Sequence, residues 1–87
     1  MFRFQSENKN AFPEKIKIEE KLNLSLTKRE YELFQLLYQG KSYREIAETN
    51  FISINTVKHH LKRLFQKLQI NSRHEAVSLV MEKVKGS

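Results

Sequence analysis

Most of the chain after residue 24 repeats apolar residues at the spacing of amphipathic helices, and each repeat begins at a hydroxyl residue. Three of these hydroxyl residues are followed three positions later by a glutamate: Thr27 with Glu30, Ser42 with Glu45 and Ser72 with Glu75. This spacing is the capping box, in which both side chains bind backbone N–H groups at a helix start. Ser53 precedes a fourth apolar repeat without the acid. The pattern predicts helices over about residues 28–39, 43–49, 54–69 and 73–84.

Two of these helices are predicted to end at residues that tolerate a left-handed backbone, Gly40 and Asn50. Gly40 follows the first helix, Asn50 follows the second, and Asn71 separates the last two. Glycine and asparagine are the residues that most often adopt this conformation after a helix. The loops that remain are short, which favours a compact bundle.

Residues 1–24 have weak periodicity and a nearly balanced charge. Residues 15–19 alternate as a short strand would, whereas Pro13 ahead of them equally suits the opening of a short helix. We predict an N-terminal arm or linker over residues 1–24 that holds a short ordered piece, and one domain over residues 25–87. The fold class is all-α: a four-helix bundle with a helix-turn-helix, preceded by a loosely ordered arm.

The second and third predicted helices have the lengths and the connecting turn of a helix-turn-helix. Ala47 is a small residue that lets the next helix cross closely, and Val57 is placed to anchor that helix. On a helical wheel the third helix has an apolar arc of about 100°, formed by Ile54, Val57, Leu61, Leu64, Phe65 and Leu68. The opposite arc is polar and basic, with Asn55, His59, Lys62 and Gln66 near its centre, Lys58 and Arg63 on its flanks and Thr56 near its edge.

Composition excludes several classes of function. The chain has no cysteine and no aspartate, which excludes disulfide frameworks, thiolate zinc sites, cysteine nucleophiles and phosphorylation of an aspartate in this chain. No set of residues indicates catalysis, a metal site or a cofactor. No apolar stretch reaches the roughly 18 residues of a membrane helix, and the N-terminus lacks a signal-peptide core. We therefore expect a cytoplasmic protein with no membrane contact.

The charge of the chain indicates a polyanionic partner. Sixteen Lys and Arg residues against ten Glu residues give a net charge of +6, and the isoelectric point is about 9.7. Residues 49–74 contain no acidic residue at all. A helix face that is merely solvated normally mixes Glu with Lys, because such pairs four residues apart stabilise it. The basic arc is therefore better explained by nucleic-acid binding, since its side chains carry donors and acceptors suited to base edges.

The same segment carries a series of short motifs in register. They are Leu26-Thr27-x-Arg29-Glu30, Leu36-Leu37-x-x-Gly40, Glu45-Ile46-Ala47, Ile52-Ser53-x-x-Thr56-Val57-Lys58-x-His60, Lys67-Leu68 and Ser72-Arg73-x-Glu75-Ala76-Val77. Residues 25–84 thus resemble the LuxR-type (GerE/NarL–FixJ) helix-turn-helix DNA-binding domain. The chain departs from the family pattern at Asn50, where the family usually has leucine. We expect either that the ring of Phe51 or Tyr43 fills that space or that the turn is slightly altered.

The resemblance implies that the third helix of the domain lies in the major groove of double-stranded DNA. It implies base contacts from Lys58, His59 and Lys62, and the wheel independently places His59 and Lys62 near the centre of the exposed arc. Asn55 and Gln66 are further base-contact candidates because they share that arc. Phosphate contacts are expected from residues at the helix starts and flanks: Ser42, Tyr43, Arg44, Ser53, Thr56, Arg63 and Lys67.

The family dimerises on DNA through its last helix, so the resemblance also implies a homodimer on two half-sites. In this helix Leu79 lies outside the apolar stripe of Ala76, Val77, Val80 and Val84. The predicted dimer interface is Ser78, Leu79 and Met81. Elsewhere, we expect His60 to pack close to the apolar arc, and Arg73 either to pair with Glu30 or to face solvent.

These signals together predict a bacterial transcription regulator, or the DNA-binding domain of one, with RNA polymerase as a candidate further partner. Signal sensing is expected elsewhere, either in another part of a larger regulator or through the abundance of a free-standing one. Two alternatives stay open. One is a promoter-reading module like that of a sigma factor, which would need RNA polymerase to bind DNA. The other is a protein-interaction module whose bundle binds an acidic partner.

Overall fold

The computed structural model of the chain describes residues 12–86, and all of their regular structure is helical. The helices are α1 (Lys15–Leu22), α2 (Lys28–Tyr38), α3 (Tyr43–Asn50), α4 (Ile54–Leu68) and α5 (Arg73–Leu79). The backbone of α5 stays helical into a π-helical segment, Val80–Lys85. The predicted all-α fold is confirmed, and a helix rather than a strand occupies residues 15–19. The first half of the predicted arm, residues 1–11, lies outside the described residues.

Hydroxyl side chains begin four of the helices, as the sequence predicts. Thr27 and Ser42 each form a complete capping box with the glutamate three residues on. Ser53 accepts a hydrogen bond from the Thr56 backbone N–H at 3.0 Å. The Ser72 hydroxyl accepts one from the Glu75 N–H at 3.2 Å, but the Glu75 carboxylate accepts from the backbone N–H of Asn71 instead, so this box is half formed.

One of the two predicted left-handed helix ends is shifted. Gly40 has the expected left-handed backbone, with φ of +86°. The prediction for Asn50 is wrong, because Phe51 (φ +57°) adopts this conformation instead. Asn71 separates α4 from α5 as predicted, and the left-handed residue that ends α4 is Gln69 (φ +59°). Asn50 remains the last residue of α3, where its side-chain amide donates to the Ile46 carbonyl at 2.9 Å.

The core lies where α2 and α3 pack against α4 and where the segment after α5 closes the bundle. The largest fully buried side chains come from every helix except α5: Ile18, Leu33, Phe34, Leu37, Ile46, Val57, Leu61, Leu64, Val80 and Val84. Burial of each of these side chains contributes roughly 1.5–3 kcal/mol to stability relative to leaving it exposed.

Helix α1 is the ordered piece predicted within the arm, and it shares this core through Ile18. The carboxylate of Glu19 accepts a hydrogen bond from the Leu26 backbone N–H at 2.8 Å, which lowers the pKa of Glu19. The Tyr31 hydroxyl donates to the Pro13 carbonyl at 2.9 Å. These contacts tie the segment before residue 25 to the start of α2. Among residues 12–86, no helix has the length and apolar character needed to cross a membrane.

Candidate nucleic-acid interface

Helix α4 divides cleanly into a buried and an exposed side. Val57, Leu61, Leu64 and Leu68 are buried, as the wheel predicts. Ile54 is an exception and is 37% exposed, because it lies at the open end of the helix, one turn before the first buried position. The residues predicted for the polar arc are exposed: Asn55, Lys58, His59, Lys62, Arg63 and Gln66.

Two local features determine the position of α4 and of its exposed arc. The buried side chains of Ile46 and Ala47 bring α3 against α4, and the small alanine permits a close crossing. At the start of α4, the Ser53 and Thr56 hydroxyls lie 2.9 Å apart within hydrogen-bonding distance. The cap stabilises the first turn of α4 itself, and the packing of α3 against α4 sets the position of the exposed arc relative to Tyr43 and Arg44.

Four of the predicted contact residues meet on one edge of α4. Lys58, Lys62 and Gln66 on α4 and Tyr43 on α3 line a groove of about 390 Å³, together with Leu61, Phe65, Ile70 and Asn71. We call the row of Lys58, Lys62 and Gln66 the Lys62 edge. Its groove has an apolar floor and a rim of donors, an arrangement that accommodates an anionic group of an extended ligand.

Arg73 adds a further cation beside this groove. Its guanidinium donates to the Lys41 carbonyl and lies 5.7 Å from the centroid of the Tyr43 ring, a cation–π distance. Both expectations for Arg73 are therefore wrong, since it is half-buried and has no ion pair with Glu30. Sequence reasoning missed this contact because Arg73 and Lys41 are 32 positions apart and no local pattern links them.

The opposite edge of α4 is bound within the protein. The Lys67 ammonium donates to the Glu30 carboxylate at 2.7 Å and to the Ser25 carbonyl at 2.9 Å. Burial opposes ionisation of Glu30, but the hydrogen bonds from Lys67 and from the Thr27 backbone N–H outweigh it, and the pKa of Glu30 is lowered. Lys67 was predicted to contact phosphate, and in the free protein it holds α4 to the start of α2.

The carboxylates near α4 are partly neutralised. Glu30 is paired with Lys67. Glu45 accepts the Ser42 backbone N–H in its capping box, which lowers the pKa of Glu45. Because residues 49–74 contain no acid, the exposed arc of α4 itself carries only neutral and positive groups.

A second groove lies at the turn between α3 and α4. It has a volume of about 490 Å³, and its lining includes Arg44, Ser53, Phe51 and Ile54. Phe51 is 94% exposed, so the expectation that its ring fills the space beside Asn50 is wrong. A left-handed backbone at Phe51 directs the ring away from the core, whereas Tyr43 packs against the core.

The predicted dimer residues differ in exposure. Met81 is 50% exposed, and its sulfur accepts a hydrogen bond from the Tyr38 hydroxyl at 3.4 Å. Ser78 is half-buried. Leu79 packs against the core and lines a groove with Leu22, Leu24 and Leu68, among others. Leu79 is thus half-buried, because the residues that follow α1 lie beside it, and its place in a dimer interface stays a prediction. His60 is half-buried, as expected.

Comparison with known proteins gives one family match. Residues 24–80 match the model of the family described as bacterial regulatory proteins, luxR family. No solved structure matches the chain significantly.

Several similar curated proteins share this region, and two of the three that follow are named as transcriptional regulatory proteins. The spore germination protein GerE of Bacillus subtilis is 50% identical over 52 residues, which is 60% of this chain and 70% of GerE. The transcriptional regulatory protein LiaR of B. subtilis is 38% identical over 74 residues, 85% of this chain and 31% of LiaR. The CsgBAC operon transcriptional regulatory protein of Escherichia coli is 51% identical over 53 residues, 61% of this chain and 24% of that protein.

Proposed function

The chain belongs to the luxR family of bacterial regulatory proteins, and on this premise we propose that it binds double-stranded DNA sequence-specifically and regulates transcription. The observation that carries the proposal is the exposed arc of α4, which is free of carboxylates and follows a helix-turn-helix crossing. In such a motif the second helix enters the major groove. The similarity to transcriptional regulatory proteins from two bacterial species supports the same conclusion.

In this proposal the Lys62 edge and the centre of the arc contact base edges. Lys58, His59 and Lys62 are exposed on consecutive turns of α4, and Asn55 and Gln66 extend the row at either end. Lysine donates to guanine O6 and N7, and asparagine or glutamine pairs with adenine. The proposed readout therefore covers the stretch of groove that faces about three turns of α4.

Phosphate contacts are proposed on both sides of the base-reading row. Ser42, Tyr43 and Arg44 lie at the start of α3, where backbone N–H groups and the helix dipole favour anions. Ser53 and Thr56 lie at the start of α4, and Arg63 is exposed farther along it. Lys67 is the weakest of the phosphate candidates, because binding DNA would take its ammonium from Glu30 and Ser25.

We further propose that the chain forms a homodimer on DNA through the face that includes Met81, with Ser78 at its border. Val77 and Met81 line a shallow groove with Tyr38 and Gln39, and the groove offers a small apolar surface. Such a surface falls short of the roughly 1,200 Å² that a stable dimer buries. Two chains held on adjacent half-sites have a high effective concentration, so a weak contact suffices there.

The test of DNA binding is selection from random duplexes with the purified chain, followed by a salt titration of the selected duplex. We expect one preferred sequence. About six neutralised phosphates per dimer would lower the affinity on the order of a thousandfold between 50 and 200 mM salt. A flat salt response would contradict the proposal, and binding that requires RNA polymerase would favour the sigma-factor alternative.

The dimer face is tested with Met81→Glu on a duplex with two half-sites. We expect the variant to keep its melting temperature and its affinity for a single half-site, and to lose cooperative filling of the second. Leu79→Glu is the contrasting variant, because it places a charge against the core and should lower stability by about 2 kcal/mol or more. Unchanged cooperativity in Met81→Glu would rule out this face.

A further inference from the structure

The turn between α3 and α4 exposes an apolar surface formed by Phe51 and Ile54, which we call the turn patch. The side chains are 94% and 37% exposed, although most large apolar side chains of residues 12–86 are covered. Phe51 also has a left-handed backbone, a conformation that is unfavourable for a residue with a side chain. The turn patch is thus unfavourable in two respects, since it leaves apolar surface exposed and places Phe51 in a disfavoured backbone conformation.

The surroundings of the turn patch favour DNA as the occupant. Arg44 and Ser53, two proposed phosphate contacts, line the same groove. Glu48 is the one carboxylate on its lining, and the positive charge of Arg44 balances it in number. The charge of the groove is therefore compatible with the phosphate backbone beside it.

Ile54 is placed at the part of a helix-turn-helix that reaches bases. It is the first residue of α4, and the amino-terminal residues of the second helix contact base edges in this motif. Residues four apart lie on one face of a helix, so Ile54 precedes Lys58 on the Lys62 edge. The apolar group that a base pair presents in the major groove is the C5-methyl of thymine.

We propose that Ile54 contacts a thymine methyl group and gives the chain a preference for thymine at one position of each half-site. Phe51, next to it in the turn patch, excludes water from the contact. The inference rests on the proposed DNA binding and adds a specificity residue to it. Ile54 supplies an apolar contact that the polar residues of the arc lack.

The test replaces each thymine of the selected duplex by uracil, one at a time, because uracil keeps the hydrogen-bonding groups and lacks the methyl. Affinities of the full chain are measured by fluorescence anisotropy at one salt concentration. We expect about a fourfold loss at one thymine in each half-site, the value of burying one methyl-sized group. Ile54→Ala should bind the thymine and uracil duplexes equally, and Ile54→Val should retain part of the difference.

Ile16→Ala is the matched control, because Ile16 is an isoleucine on α1 that is 57% exposed. It should keep the full sensitivity to uracil. The proposal is overturned if uracil has no effect at any position, or if Ile54→Ala still discriminates. It is also overturned if Ile54→Ala matches the wild type on every duplex and loses only a contact with RNA polymerase, which would assign the turn patch to a protein. A chain that selects no sequence would instead refute the proposed DNA binding itself, and this contact with it.

Discussion

The two long edges of α4 carry the same kind of side chain in different surroundings. On the Lys62 edge, Lys58 and Lys62 are exposed, and within residues 12–86 neither forms a hydrogen bond or an ion pair. On the other edge, the ammonium of Lys67 has two protein oxygens as partners. The first edge has charge that is available to a ligand, and the second uses its charge to join two helices.

This difference depends on a residue far away in the sequence. Glu30, which binds Lys67, is 37 positions from it and lies on α2. Within residues 12–86, no carboxylate forms an ion pair with Lys62, and Glu45 on α3 accepts a hydrogen bond in its own capping box. On a basic helix face, the lysines that bind protein oxygens must therefore be distinguished from those that do not before any of them is assigned to DNA.

The largest effect is expected from Lys67→Ala, which removes the partner of a carboxylate that is 8% exposed. We expect the free energy of unfolding to fall by about 2 kcal/mol. The value is below that of a fully buried pair because the Lys67 side chain is 34% exposed. Urea unfolding followed by circular dichroism measures it.

Lys62→Ala is the matched control for stability and should change the unfolding free energy by less than about 0.5 kcal/mol. Adding Glu30→Gln to Lys67→Ala should recover part of the loss, since no unpaired carboxylate then remains. Equal stability of Lys67→Ala and the wild type would mean that the two edges do not differ in this way.

In DNA binding, Lys62 should matter more than Lys67, the reverse of their order in stability. We expect Lys62→Ala to lose about 1–2 kcal/mol of discrimination between the selected duplex and a scrambled one, because a base contact is lost. His59→Ala should act in the same direction. Lys67→Ala, assayed under conditions where it is folded, should retain this discrimination.

Arg44→Ala should weaken binding to all duplexes alike and reduce the salt slope of binding by about one. A sequence-dependent effect of Arg44→Ala would contradict its assignment to phosphate.

Acid should weaken the ion pair of Glu30 and Lys67, with a smaller effect on the free energy of unfolding. The pKa of Glu30 is below its ordinary value of 4.5 in the folded chain, so the unfolded chain takes up the proton first as the pH falls. The contribution to stability is complete above that ordinary value and disappears as the pH falls through the folded pKa. Unfolding midpoints between pH 6 and about pH 3 should fall less steeply for Lys67→Ala than for the wild type. Parallel curves would show that the pair does not set the acid response.

The helix starts were predictable because they depend on residues three positions apart. A hydroxyl and a glutamate at that spacing satisfy the same backbone groups in any tertiary context, and Thr27 and Ser42 behave accordingly. The polar arc of α4 was predictable for a similar reason, since the helical period alone decides which residues share a side.

The helix ends were less predictable. Phe51 and Gln69 adopt left-handed conformations that their residue types disfavour, while neighbouring asparagines do not. The choice depends on where the following residues must go: Ile52 and Ile70 both pack against the core directly after these positions. Tertiary packing has overridden the local preference.

Contacts between residues that are distant along the chain could not be predicted from the sequence. The periodicity of α1 is too weak to reveal that Ile18 is fully buried or that α1 brings its following residues beside Leu79. Likewise, the exposure of Ile54 depends on the open end of the bundle, not on its place in the apolar arc. For the candidate site, the exposed row of α4 was predicted, and the partners of Lys67 and Arg73 were not.

One carboxylate joins two helix ends in this fold. Glu30 caps the first turn of α2 and binds a lysine in the last turn of α4. Local opening of either end therefore breaks contacts of the other, and the two ends form one cooperative unit. In native-state hydrogen exchange, the amides of the first turn of α2 and the last turn of α4 should open together, while the first turn of α4, which Ser53 caps, fluctuates independently of them.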